Sequence, residues 1–139
     1  VEVIAPEAAA PSSDRDGRSL RVLYADDHAI NRQVVAMILG PLGVELTLVE
    51  NGREALDILK SSAFDIVLMD VQMPEMDGLT ATRELRKAGW GRDLPVIMLT
   101  AKAMARDQQE CLEAGANDYL AKPIDVDKLL SLVRVWMPR

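Results

Sequence analysis

The chain has 139 residues and a formal charge of −6, from 16 Lys and Arg against 22 Asp and Glu. It suits one domain with a real core, and the charge argues against a broad cationic face for nucleic acid. Apolar residues make up 49% and aromatic residues 4%, the balance of an α/β protein rich in Val, Leu and Ala. Cys111 is the sole cysteine, which rules out an internal disulfide and favours a reducing cytoplasm. No apolar run nears the roughly 20 residues of a membrane-spanning helix.

Residues 1–19 carry Pro6, Pro11, several alanines and the polar stretch Ser12-Ser13-Asp14-Arg15-Asp16-Gly17. They read as a flexible Ala/Pro/Ser linker before a domain at 20–139, and suggest a preceding domain. Leu20 to Ala25 is the first predicted strand. A helix follows, with Ile30, Val34, Ile38 and Leu42 as a stripe at four-residue spacing and Pro41 and Gly43 as its stop. Val44 to Val49 is the second strand. Asn51 with Glu54 three residues later predicts a capping box for the helix carrying Leu56 and Leu59.

The stretch FDIVLMDVQMPEMDG, residues 64–78, reads as a strand buried on both faces that ends on Asp70 and enters a turn. A buried carboxylate is costly unless it is paired, so its partners are sought elsewhere in the chain. Asp77-Gly78 opens the third helix, over Leu79 to Lys87. Pro95 to Leu99 is the fourth strand, followed by a helix over Ala105 to Ala114 that ends at Gly115. Asp118 to Ala121 is a short fifth strand. Asp125 then caps a last helix whose apolar face is Leu129, Leu132, Val133 and Trp136. Five strands alternating with five helices predict a doubly wound parallel sheet covered on both faces. Sites in such sheets form beyond the carboxyl ends of the strands.

Those ends carry Asp26-Asp27, Asp70, Thr100 and Lys122. Three carboxylates on one rim call for a cation, and hard oxygen ligands favour Mg²⁺ or Mn²⁺ over zinc. Lys122 adds a compact, movable positive charge. A carboxylate beside a divalent metal and a lysine suits phosphoryl transfer, with the carboxylate attacking in line. Read singly, each residue has a plainer role. Asp26-Asp27 could cap a helix, Thr100 could be an ordinary strand residue, and Lys122 could be solvated. Their convergence argues otherwise. His28 reads as a rim residue rather than a phosphoacceptor, since no other element of a histidine kinase accompanies it. Cys111 reads as a small buried hydrophobe.

Asp26-Asp27, Asp70 in LMDVQMPEMDG, Thr100-Ala101 and Lys122-Pro123 stand in the order and approximate spacing of a receiver domain of two-component signalling, which residues 20 to about 137 resemble. The resemblance implies that Asp70 is the phosphoacceptor. Asp27 would ligate Mg²⁺ directly and Asp26 through water, with Asp70 and the main-chain carbonyl of Gln72 completing the set. Lys122 would pair with Asp70 and then with the phosphoryl group, and Thr100 would hydrogen-bond it. Ala101 would leave the group room, Tyr119 would be an aromatic switch, and the Lys122-Pro123 peptide would be cis. The implied partners are a histidine kinase or a histidine phosphotransfer protein, with no contact to nucleic acid or membrane. The implied state is a monomer or weak dimer in the cytoplasm, whatever anchors the parent. ADDHAINRQ and LTAKAMARDQQE further resemble receivers of hybrid histidine kinases.

Two competing readings remain open at this point. A haloacid-dehalogenase-like phosphatase would carry a second Asp two residues after its nucleophile, where this chain has Gln72. A receiver-like binding module that is never phosphorylated would not need the acids, Thr100 and Lys122 intact. The expected domain is a switch that takes up phosphoryl from a donor, not a turnover enzyme.

Overall fold

The computed structural model describes residues 20–88, 94–101, 105–122 and 124–136. The expected linker, Lys102 and the Lys122-Pro123 peptide geometry lie outside them. Strand β1 (Arg21–Ala25) leads to helix α1 (Ala29–Leu39), which tightens into a 3₁₀ turn at Gly40–Leu42. Then follow β2 (Glu45–Val49), α2 (Gly52–Ser61), β3 (Ile66–Asp70), α3 (Gly78–Lys87), β4 (Val96–Thr100), α4 (Ala105–Ala114), β5 (Asp118–Ala121) and α5 (Val126–Trp136). The five strands are all parallel, in the order β2-β1-β3-β4-β5. Strand ends move by a residue or two from the expected ones, because only paired backbone counts as strand.

Strand side chains alternate between faces, so each central strand feeds two cores. Leu23, Val67 and Met98 pack with Leu56 and Leu59 of α2, Leu85 of α3 and Cys111 of α4. Tyr24, Leu68 and Ile97 pack with Val35 and Leu39 of α1 and Leu129 and Val133 of α5. Strands β3 and β4 are buried throughout, which accounts for their unbroken apolar runs. Cys111 is a core residue, 1% exposed.

The helix starts follow the sequence closely. The Asn51 side chain accepts from the N–H of Glu54 at 2.9 Å, while Glu54 accepts from the N–H of Glu50 at 2.8 Å. The box is thus offset by one residue, since the amide that reaches Glu54 is that of Glu50 rather than of Asn51. Asp77 caps α3 through the N–H of Thr80, and Asp125 caps α5 through the N–H of Lys128.

The stripe expected on α1 is corrected. Val35 and Leu39 are buried, with Ile38 and Leu42 partly buried beside them. Ile30 is 73% exposed and Val34 38%. Four-residue spacing advances 40° per step around a helix of 3.6 residues per turn, so the row Ile30–Val34–Ile38–Leu42 winds off the core. Together with Met37 its first members form an apolar outward face.

Candidate functional site

Each strand end delivers its polar residue to one rim because the strands are parallel and nearly in register. Asp70 lies opposite Leu99, and Thr100 opposite Ala121. Asp26 follows β1 directly, held by its N–H to the carbonyl of Val49. Lys122 follows β5, held by its N–H to the carbonyl of Thr100 at 2.8 Å. The turn after Asp70 is tied back by the N–H of Gly78 to the carbonyl of Val71, and to α2 by the N–H of Gly52 to the carbonyl of Met76. Glu75 carries the turn's one unusual backbone, with φ 65°.

Asp26 and Asp70 are buried, at 0% and 2% exposure. Lys122 Nζ donates to Asp70 Oδ2 at 2.9 Å and lies 3.8 Å from Asp26 Oδ2. Asp26 is otherwise well bonded. Its Oδ2 accepts from the Tyr24 hydroxyl at 2.5 Å and from Asn31 Nδ2 at 3.2 Å, and its Oδ1 accepts from the N–H of His28 at 2.9 Å. Asp27 Oδ1 is different: it is shielded from solvent and accepts no hydrogen bond from the described residues. Ligand atoms of Asp26, Asp27, His28 and Asp70 all lie within 4.8 Å of one another.

The two buried carboxyls are pushed in opposite directions. Burial raises both, but for Asp26 the hydrogen bonds from Tyr24, His28 and Asn31 and the charge of Lys122 outweigh it, and the net direction is down. For Asp70 burial and the negative charge of Asp26 win over the bonds from Lys122 and the Gln72 N–H, and the net direction is up. Tyr24 is raised far beyond the usual phenol range, by burial first and by Asp26 second. The rim therefore holds carboxylates at a cost that one lysine only partly offsets.

Thr100 is 5% exposed at the end of β4, and Ala101, which follows it, is exposed. Gln72 has an exposed side chain, while its backbone N–H serves Asp70. Tyr119 is half-buried on β5, packed against the core under α2–α4 and lining a cavity of about 340 Å³ with Leu120, Asp127, Lys128, Ser131 and Leu132. The structure thus brings Asp26, Asp27, Asp70, Lys122 and Thr100 to one rim and sets Tyr119 one element away.

Sequence reasoning missed the ring of residues that hold Asp26: Tyr24, Asn31 and Arg32, whose Nη1 donates to the Asp26 carbonyl at 2.7 Å. Tyr24 had a signal. It stands two residues before Asp26 on the same strand face, and a tyrosine inside an apolar strand needs a partner for its hydroxyl. Asn31 and Arg32 had none, since nothing in a helix start says which neighbour its polar side chains will reach.

A doubly wound sheet with paired acids after β1, an acid ending β3 and a lysine after β5 defines a flavodoxin-like α/β domain with an acidic site at the carboxyl ends of its strands. The family model for the response regulator receiver domain matches residues 22–134, and the chain belongs to that family. It is 40% identical over 135 residues to the sensor histidine kinase RcsC of Salmonella typhi, covering 95% of this chain and 14% of that protein. The chain therefore spans about a seventh of such relatives. The receiver domain of the sensor histidine kinase PA1611 of Pseudomonas aeruginosa PAO1, solved with magnesium in its active-site cleft, is 39% identical. The match has a TM-score of 0.79 over 85% of this chain and 97% of that one. The receiver domain of Ssk1 of Saccharomyces cerevisiae, solved with the histidine phosphotransfer protein Ypd1, is 26% identical. Its TM-score is 0.81 over 86% of this chain and 89% of that one. The phosphatase and unphosphorylated-module readings gain nothing from these likenesses. No helix among the described residues is long and apolar enough to cross a membrane.

The residues present fit a hard divalent cation. The donors are the carboxylate oxygens of Asp26, Asp27 and Asp70 with the His28 imidazole beside them, and Asp27 Oδ1 is a shielded acceptor that makes no hydrogen bond, with His28 Nδ1 3.2 Å away, as a ligand atom can be.

Proposed function

We propose that Asp70 takes a phosphoryl group from a phosphohistidine in a Mg²⁺-dependent step, and that the chain is the receiver of a hybrid sensor histidine kinase that passes the group on to a phosphotransfer histidine. The observation that carries this is the pairing of Lys122 Nζ with Asp70 Oδ2 at 2.9 Å beside Asp27 Oδ1, a shielded acceptor that makes no hydrogen bond. An oxygen of Asp70 attacks phosphorus and forms the P–O bond. The P–N bond breaks, and the imidazole nitrogen leaves with the electron pair. Asp27, Asp70 and the Gln72 carbonyl would hold the cation, Mg²⁺ or Mn²⁺, and Asp26 would act through water. When bound, the cation neutralises the phosphoryl oxygens. Lys122 stays beside the group as a second counter-charge, and exposed Ala101 leaves it room.

The partner would be a histidine kinase or a histidine phosphotransfer protein, met in the cytoplasm. The outward apolar face of Ile30, Val34 and Met37 supports this, since Ile30 also lines the rim cleft with Asp27, His28 and Lys122. The test is transfer from a phosphorylated phosphotransfer protein, followed by intact mass. Wild type with Mg²⁺ should gain one phosphoryl group, and chelation should stop it. Asp27→Ala should weaken Mg²⁺ binding at least tenfold, about 1.4 kcal/mol, as read by NMR titration. Equal affinity in the two proteins would remove Asp27 from the site.

Thr100 and Tyr119 would carry the signal outward. The Thr100 hydroxyl moves toward the phosphoryl group, and the Tyr119 ring turns into the space beside β5. A shift from 1:99 to 99:1 takes about 5.5 kcal/mol, and hydrogen bonds to a charged group supply about 1.5–3 kcal/mol each. Phosphorylation therefore shifts the equilibrium partially. Thr100→Ala should accept phosphoryl yet lose most of the amide-shift response across residues 105–136. A full response in that variant would place the route elsewhere.

A further inference from the structure

We infer that Tyr24 is a positioning residue whose hydroxyl tethers Asp26 and thereby leaves Lys122 committed to Asp70. The inference rests on the reading of this rim as a Mg²⁺-dependent phosphoacceptor site. Tyr24 is 0% exposed as the next-to-last residue of β1, in the core cluster that holds Leu20, Val35, Leu39 and Leu68. Phenylalanine would fill that space equally well, so packing does not account for the hydroxyl. A buried hydroxyl is costly unless bonded, and this one donates to Asp26 Oδ2 at 2.5 Å. The geometry follows from strand periodicity, which puts residues two apart on one face.

A carboxylate oxygen has about two lone-pair sites. On Asp26 Oδ2 they are taken by Tyr24 and Asn31. Lys122, at 3.8 Å from that oxygen and 2.9 Å from Asp70 Oδ2, therefore has its bond on Asp70. With the Tyr24 hydroxyl removed, one site on Asp26 Oδ2 falls vacant away from solvent, and Lys122, at 3.8 Å, is the nearest cation among the described residues. The ammonium shifts toward Asp26, and Asp70 loses its partner. Two consequences have opposite signs. Asp70 no longer shares its charge with a competing ammonium, so Mg²⁺ binds more tightly. The phosphoryl group no longer meets Lys122 in place, so uptake slows.

The experiment compares wild type, Tyr24→Phe and Asn31→Ala by Mg²⁺ titration followed by NMR and by uptake from a small acyl phosphate at saturating Mg²⁺. For Tyr24→Phe we expect Mg²⁺ affinity to rise at least about threefold and the uptake rate to fall at least about fivefold, the scale of one typical net hydrogen bond. Asn31→Ala, which vacates the other site through a longer bond, should show the same pair of signs more weakly. Affinity and rate falling together would mean that the hydroxyl only supports the fold, and the assignment is overturned. Wild-type values in Tyr24→Phe overturn it as well. If wild type itself neither binds Mg²⁺ nor takes up phosphoryl, the functional reading fails and Tyr24 falls with it.

Discussion

Asp70→Asn should abolish phosphoryl uptake, lowering it at least about a hundredfold, or about 2.7 kcal/mol of activation free energy. The amide keeps the shape of the side chain and can still meet Lys122, but it lacks the charged oxygen that attacks phosphorus. Asp26 cannot substitute, because its oxygens are occupied by Tyr24, Asn31 and the His28 N–H. His28→Ala should still label, and the product should be an acyl phosphate cleaved by hydroxylamine. Intact mass on the two variants decides it, and labelling of Asp70→Asn at the wild-type rate would refute the assignment. The same variant has a stability signature. The Asp70 carboxyl is pushed up by burial, so it binds its proton more tightly folded than unfolded. Its favourable contribution is therefore present below the unfolded value and lost as pH rises through the folded one, so at neutral pH the carboxylate costs stability. Without Mg²⁺, Asp70→Asn should melt no lower than wild type at pH 7, and its advantage should shrink as pH falls toward the carboxylate range. Added Mg²⁺ should raise the wild type more than the variant.

Gly78→Ala should destabilise the domain by about 3 kcal/mol and disturb the site as well, the upper part of what overpacking costs. A Cβ at Gly78 would lie 2.2 Å from the carbonyl oxygen of Asp70 and 3.1 Å from Met69 Cγ. The obstructing atom is backbone of a central strand, so it cannot swing aside. Relief must come from moving α3 or the end of β3, and the latter carries Asp70, the proposed phosphoacceptor. Gly78 is not in the positive-φ region, so the requirement is close approach rather than backbone freedom. Chemical denaturation measures the loss. A variant with wild-type stability would show that the turn has slack that the contact distance does not suggest.

These two residues also mark how far the sequence could be read. Asp70 was legible because an acid ending an apolar strand is locally anomalous, and its partners were legible because parallel strands bring their carboxyl ends to one rim. Gly78 read only as the start of a helix, and it is one. Its real constraint is the carbonyl of Asp70, eight residues earlier, which no local pattern contains. The α1 face shows the same division. Apolar residues at helical spacing established the helix, but Ile30, Val34 and Met37 face outward while Val35 and Leu39 face the sheet. Several apolar rows were available, and only the docking angle of α1 on the sheet selected one.

By itself, the sequence determined the alternation of strands and helices, the caps at Asn51, Asp77 and Asp125, and the identity of the rim acids and lysine. Each of these depends on neighbours within a few positions or on the one rule that parallel strands share an end. Tertiary structure alone decided which oxygen each donor takes. Lys122 bonds Asp70 at 2.9 Å and stands 3.8 Å from Asp26, and Tyr24 and Asn31 fill Asp26 Oδ2 while Asp27 Oδ1 makes no hydrogen bond. The physical reason is range. Hydrogen bonds to a charged group change with tenths of an ångström, and that precision is set by how five strands pack side by side, not by the order in which their residues are written.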